Sequence, residues 1–229
     1  MRLITWNCHT CLYRKLHRVL DFDPDIVVFQ ECEQDLPVPQ GYKYLWRGNN
    51  RRKGLGVLCR GDEVTVDPIA REEWTYFVPV TVNPQRLRIV ASWAYNHRAS
   101  KFGPNYVGNP LAVLPHLSTW LSKGRSIFIG DLNNSVIWDR EGGPVNFSEI
   151  DANLGSLGLA SAYHSFTGEV LGHESTNTFF HTKSAQRPFH IDYCFVHSSL
   201  SVGNVAIPPF EDWRSDSDHV PVVVDLNDA

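Results

Sequence analysis

Between Ser126 and Ser135 the chain reads Ser-Ile-Phe-Ile-Gly-Asp-Leu-Asn-Asn-Ser, a short apolar run that stops on Gly130-Asp131 and then on two amides. Ile127, Phe128 and Ile129 in succession predict a buried strand. Such a strand sets one carboxylate and two carboxamides at its C-terminal mouth, where α/β sheets carry ligands. Alone, the segment has two readings: an end that holds a phosphate or a cation, or a strand followed by ordinary Gly-Asp and Asn-Asn turn formers.

The 229 residues, 42% hydrophobic and 20% charged, suffice for one sizeable core. A net charge of −4 gives no overall field for a polyanion, so any nucleic-acid contact must use a local basic patch. No stretch approaches the roughly eighteen apolar residues of a membrane span. The start, Met-Arg-Leu-Ile-Thr-Trp-Asn, has no long apolar segment. The chain is therefore read as a soluble, cytoplasmic monomer, with secretion left open. Five cysteines at positions 8, 11, 32, 59 and 194 suit reduced core thiols better than a disulfide framework. Cys8 and Cys11 have CxxC spacing, but no second pair completes a zinc site.

Arg2–Trp6 and Ile26–Phe29 predict strands flanking a basic helix with Leu12, Leu16, Val19 and Leu20 on its apolar face, ending before Pro24. Gly48–Gly54 reads as a polar, basic loop. Gly56–Arg60, Glu63–Val66, Phe77–Val82 and Leu87–Tyr95 follow as closely spaced strands, which favours antiparallel neighbours. Leu111, Leu114, Leu117, Trp120 and Leu121 mark a second helix, with Pro115 expected to delay or kink it. Phe147, Ile150, Leu154 and Leu157 mark a third, ending at Gly158. Thr178–Phe180, Ile191–Val196, Val202–Ala206 and Val220–Leu226 are further strands. The expectation is one α/β domain, residues 1–229, mostly antiparallel, with three helices covering the sheet faces.

Polar residues recur at the strand ends: Asn7 after Trp6, Gln30-Glu31, Asp131 with Asn133, Asp192 after His190-Ile191, and Ser217-Asp218-His219. Acids, amides and imidazole without cysteine, at five places, exceed what capping requires, because buried carboxylates are costly unless paired or bound to a cation. Oxygen-rich donors select Mg²⁺ or Mn²⁺, and Mg²⁺ needs only one or two carboxylates besides water and substrate phosphate. Glu31 and Asp218, with Asn7 nearby, suffice. An imidazole beside an acid, as His219 and Asp192 would be if the fold brings them together, makes an oriented base for a water nucleophile. The combination points to metal-assisted hydrolysis of a phosphate ester.

Taken together, these segments resemble the endonuclease/exonuclease/phosphatase superfamily, in order and approximate spacing from position 6 to 221. The resemblance implies a four-layer sandwich of two packed, mostly antiparallel β-sheets flanked by helices, with the site at one end. It also implies roles. Glu31 is the principal metal ligand, Asn7 assists it, and Asp218 is a further metal-site carboxylate. His219 pairs with Asp192 in a dyad that is either the base or the holder of the phosphate. Asp131 and Asn133 orient the water and the phosphoryl oxygens, or Asp131 protonates the leaving group. Water attack with inversion at phosphorus is the expected route, with Mg²⁺ (or Mn²⁺) as cofactor.

Relatives commonly end the strand after Leu87–Ala91 on His or Tyr; here Trp93 falls at that place, with Asn96 or His97 as substitutes or Trp93 simply core. His181, the best placed of His164, His173 and His181, is expected at the site rim. Arg51, Arg52 and Lys53, with Arg47, form a basic grip for a phosphate backbone, and Tyr44, Trp46 and Trp138 offer stacking surfaces. The favoured substrate is nucleic acid, DNA ahead of RNA, cut with little sequence selectivity. The alternatives are a phosphatase or phosphodiesterase of a small molecule or lipid head group, using Trp93 to Pro110 as a specificity loop, and a catalytically silent binding module.

Overall fold

A computed structural model describes residues 1–61, 63–83, 86–95 and 108–227. The first sheet contains β1 (Arg2–Asn7), β2 (Ile26–Cys32), β3 (Tyr42–Asn50), β4 (Lys53–Arg60), β13 (Ser201–Ala206) and β14 (Val222–Asn227), in the order β13-β14-β1-β2-β4-β3. The second contains β5 (Glu63–Val66), β6 (Phe77–Asn83), β7 (Leu87–Trp93), β8 (Ser126–Asp131), β9 (Leu159–Ser161) and β12 (Asp192–His197), in the order β5-β6-β7-β8-β12-β9. A short ribbon pairs β10 (Phe179–Phe180) with β11 (Pro188–Phe189). Only β1–β2 and β7–β8 are parallel among the described strand pairs.

The apolar runs are continuous because both faces of each sheet are covered. Leu3, Ile26 and Val28 point inward from the first sheet to meet Ile89, Ile127 and Ile129 of the second. Ile4, Val27 and Phe29 point outward onto α1 (Leu12–Leu20) and α5 (Phe210–Trp213). Phe128 and Phe195 point outward onto α2 (Pro110–Leu121) and α3 (Phe147–Ser156). The result is the four-layer arrangement, helix, sheet, sheet, helix. No helix among the described residues is long and apolar enough to cross a membrane.

Several elements go beyond the sequence reading. α4 (Ala162–Thr167) and α5 add two helices to the three expected. The polar loop at Gly48–Gly54 shrinks to a two-residue turn, since β3 and β4 pair up to Asn50↔Lys53. Pro115 neither delays nor ends α2, which begins on Pro110 with the Asn109 side chain accepting from Leu111 N–H. The strand begun at Leu87 stops at Trp93.

At the end of β8 the chain makes a close approach that only glycine permits. Gly130 has φ +151, and a Cβ there would lie 1.8 Å from the Ser92 carbonyl oxygen of β7. Gly130→Ala is therefore expected to lower stability by roughly 2–4 kcal/mol in urea unfolding, through strain and overpacking together. A loss below about 0.5 kcal/mol would contradict this account of the β7–β8 contact.

Candidate active site

Strand registry brings the polar ends together. β1 and β2 run parallel with Asn7 opposite Gln30, so Asn7 and Glu31 emerge at the same end of the first sheet. In the second sheet Asp131 lies opposite both Trp93 and Asp192. Gln30 ties the sheets to each other, its buried amide donating to Thr5 Oγ1 at 3.0 Å and to the Ser92 carbonyl at 3.2 Å.

Asp131, Asp192 and His219 are all buried, with ligand atoms within 4.8 Å of one another. His219 Nδ1 lies 2.8 Å from Asp192 Oδ2. Asp131 accepts from Asn7 Nδ2 at 3.0 Å, from Asn133 N–H at 2.7 Å and from Asn133 Nδ2 at 2.9 Å. Burial, then the neighbouring Asp192, pushes the Asp131 carboxyl up to about 7, against the pull of His219. Burial alone would lower His219, but the charge and hydrogen bond of Asp192, with Asp131 and Asp218, override it and lift the ring to about 9. Asp192 Oδ1 has no hydrogen-bond partner among the described residues.

Groups to which the sequence reading gave no role position this cluster. The buried Thr178 hydroxyl oxygen accepts from the N–H groups of Ile191 and Asp192, at 3.0 and 3.1 Å. The Thr178 carbonyl accepts from Val220 N–H, next to His219. Ser217 Oγ donates to the Asn7 carbonyl and accepts from His219 N–H. Phe179 packs on the His219 ring with centroids 4.6 Å apart. Threonine and phenylalanine before a strand carry no distinguishing signal; only the tertiary contact reveals them.

A second polar group lies beside the first. Lys53 Nζ is 3.0 Å from Glu31 Oε2, and His9 Nδ1 is 3.2 Å from Asp218 Oδ1 and 3.9 Å from Glu31 Oε2. Burial would raise Asp218, yet the His9 hydrogen bond and the charge of His219 hold its carboxyl down at about 2. Asn7 donates to Asp131 through Nδ2 and, through Oδ1, accepts from His9 N–H at 3.1 Å, which sets it between the two groups. Left-handed backbone concentrates here: Glu31, His9, Thr10, Cys11 and Asn133 all have positive φ. Each non-glycine residue held this way costs on the order of 1–2 kcal/mol.

Of the basic grip, the structure brings Lys53 to the site. Arg51 pairs with Asp35 on the surface, and Arg52 is exposed at the hairpin turn. Tyr44 and Trp46 are engaged, donating to the carbonyls of Glu33 and Cys32, whereas the exposed Trp138 rests on Phe189 with centroids 4.9 Å apart. Trp93 is core, packed edge-on against Tyr76 and Tyr95. His181 is exposed beside Phe179, at the rim. His164 is bound to Glu174 and Ser161, away from the dyad. Asn134 donates to the Val145 carbonyl. Asn96, His97 and most of the segment from Trp93 to Pro110 lie outside the described residues.

Residues 4–219 match the model of the Endonuclease/Exonuclease/phosphatase family, and the chain belongs to that family. Comparison with curated protein sequences finds no match. Among solved structures, the fold is similar to that of a 3′ phosphatase, NExo, from Neisseria bound to a product DNA hairpin, at 18% identity, 99% coverage of both chains and a TM-score of 0.77. It is similar also to the AP endonuclease LMAP from Leishmania major, at 16% identity, covering 97% of this chain and 86% of that one, TM-score 0.76. An AP endonuclease from Archaeoglobus fulgidus matches at 15% identity, 99% coverage of both chains and a TM-score of 0.69.

The charge state of the dyad is measurable. Because the folded value of His219 is raised above the ordinary 6.5, its stabilising contribution is complete below 6.5 and is lost as pH rises through about 9. In chelator-treated protein, ¹H–¹⁵N spectra should show one histidine ring protonated at pH 8 in wild type and neutral in Asp192→Asn. A neutral ring in both proteins would contradict the assignment.

Proposed function

We propose that the chain is a divalent-metal-dependent phosphodiesterase that hydrolyses DNA by direct attack of water, with little sequence selectivity. The observation that carries this reading is the buried Asp131–Asp192–His219 cluster, tied through Asn7 to a second acid and imidazole group at Glu31, Asp218 and His9.

The donor set fits a hard divalent cation. Asp218 and Glu31 lie on either side of His9, with Lys53 drawn against Glu31, which marks a region of negative charge. Oxygen donors of this kind suit Mg²⁺ or Mn²⁺. Asp131, Asp192 and His219 are also close enough to share an ion, but the 2.8 Å bond between His219 and Asp192 commits those atoms to each other. Glu31 and Asp218 are therefore the residues that would hold the metal. When bound there, the cation would neutralise charge on the phosphoryl oxygens.

The protein's own residues supply the remainder. Asp131, held by Asn7 and Asn133 and raised to about 7, is suited to exchange a proton with water or with the leaving oxygen near neutral pH. His219, raised to about 9, favours the phosphate-holding role over the base: with Nδ1 on Asp192, its Nε2 is left to donate to a phosphoryl oxygen. Asn133 Nδ2 is a further donor close by. Lys53, paired with Glu31, adds a positive charge beside the phosphate, and Trp138 with Phe189 supplies an aromatic surface for a base. The fold shared with NExo and with the two AP endonucleases favours DNA. The pairing of Arg51 with Asp35 removes one cation from the backbone grip and keeps a small-molecule or lipid-borne phosphate as the second reading.

Glu31→Gln and His219→Ala should each lower turnover at least about 10²-fold with an unchanged far-UV spectrum; full activity in either would overturn the assignments. A panel of plasmid, abasic duplex, single-stranded DNA, RNA and small phosphodiesters, each with Mg²⁺, Mn²⁺ or chelator, tests the substrate. Cleavage of DNA with metal alone is expected, and turnover of only small phosphoesters would select the second reading. Trp138→Ala should weaken single-stranded DNA binding by roughly 1–3 kcal/mol in fluorescence titration, and unchanged affinity would remove Trp138 from the binding surface.

A further inference from the structure

Apart from the polar cluster at the strand ends, a second hydrogen-bonded chain of serine, imidazole and carboxylate lies against the edge of the second sheet. Ser161 closes β9, where it pairs with Phe195 of β12, three residues along that strand from Asp192. At about 3.3 Å per residue, that places it roughly 10 Å along the sheet from the dyad. Ser161 Oγ lies 2.8 Å from His164 Nδ1, and His164 Nε2 lies 3.1 Å from Glu174 Oε1. Ser161 is buried, and the side chains of His164 and Glu174 are 12% and 6% exposed.

The protons along this chain are ordered. Burial would raise Glu174, yet the bond to His164 and the Gly172 N–H at 2.9 Å hold its carboxyl down at about 2, so it is an ionised acceptor. The neutral imidazole therefore keeps its proton on Nε2, facing Glu174, and its bare Nδ1 accepts from the Ser161 hydroxyl. Helix capping does not account for that hydroxyl. Ser161 stands at the N-cap of α4 but makes no side-chain bond to the helix backbone. The base is also held from the far side: Glu169 accepts from Tyr163 Oη at 2.6 Å and from Ser175 N–H at 2.9 Å, which ties the loop carrying Glu174 to α4.

Ser161 and His164 share a cavity of about 400 Å³, whose wall includes Ser165, Leu171, Asp151 and Glu169. A hydroxyl, a base in hydrogen-bond reach and a third group that orients the base are the parts of nucleophilic catalysis, and the cavity adds room for a small substrate. Two carboxylates on the wall repel anions, so the volume suits an uncharged ligand.

We propose that Ser161 is an activated nucleophile and that this cavity is a second, metal-independent site that hydrolyses small uncharged carboxylic esters. Ser161 Oγ attacks the carbonyl carbon as its proton passes to His164 Nδ1, and the Ser165 hydroxyl donates to the oxygen that gains charge. The bond to the alcohol oxygen breaks, and that oxygen takes the proton from Nδ1. Water then attacks the acyl carbon and gives its proton to Nδ1; the acid leaves as Ser161 Oγ recovers that proton. No step uses Glu31, Asp218 or a cation, so the inference is independent of the phosphodiesterase reading.

The test treats the full chain, in chelator, with a fluorophosphonate and separately with p-nitrophenyl acetate. Peptide mass spectra should place the label on Ser161, and nitrophenolate release should exceed that of Ser161→Ala at least about tenfold. His164→Gln should slow labelling at least about 10²-fold with unchanged thermal melting. Ser161→Cys keeps a nucleophile of similar size, should the alanine variant fail to fold, and iodoacetamide should alkylate it faster with His164 present than in the His164→Gln background. Absence of label on Ser161 in wild type, equal labelling with and without His164, or equal ester turnover in wild type and folded Ser161→Ala overturns the inference.

Discussion

Two buried carboxylates facing each other across a strand pair are the constraint on which this structure turns. Asp131 and Asp192 are register partners in β8 and β12, and both are fully enclosed. Two like charges in that setting cannot stand without compensation. Compensation comes from three separate parts of the chain: Asn7 at the end of β1, Asn133 just beyond β8, and His219 before β14. The two sheets must therefore pack so that β1 reaches β8. The same geometry that satisfies Asp131 assembles the site.

The rest of the fold pays the energetic cost of that polar end. Three apolar clusters, one between the sheets and one under each helical layer, fix the strands to within a residue of register. A slip of one residue would turn Ile127 and Ile129 outward and move Asp131 off Asp192. Against this rigid frame the loops carry strain, at Glu31, at His9 to Cys11 and at Asn133, all beside the polar groups. Strain at such places is the expected companion of preorganised donors. Gln30 illustrates the coupling, since one buried amide links Thr5 in the first sheet to Ser92 in the second, directly beneath the site.

Much of the frame was legible in the sequence. Continuous runs such as Ile26 to Phe29 and Ile127 to Ile129 announce strands covered on both faces, and the acids and amides that end them announce a site. β3 escaped because it is an edge strand: Tyr42 to Arg47 mixes Lys and Arg with aromatics and is half-buried. α5 is four residues long, too short for any periodicity. Within the site, the acids, amides and dyad histidine that end strands were legible, and several of the residues that position them were not. Thr178, Ser217 and His9 act through contacts with distant segments, which no local spacing encodes. For Arg51 the sequence shows the charge but not its pairing with Asp35 on the surface.

In the proposed reaction, water placed by Asp131 and its amide partners attacks phosphorus directly while His219 holds the phosphoryl group. The measurement that reaches it most directly is hydrolysis of a DNA substrate bearing one phosphorothioate of known chirality, carried out in ¹⁸O-labelled water with Mn²⁺. The account predicts a single ¹⁸O in the product phosphorothioate and inverted configuration at phosphorus. Retention, the mark of a covalent enzyme intermediate, would contradict it.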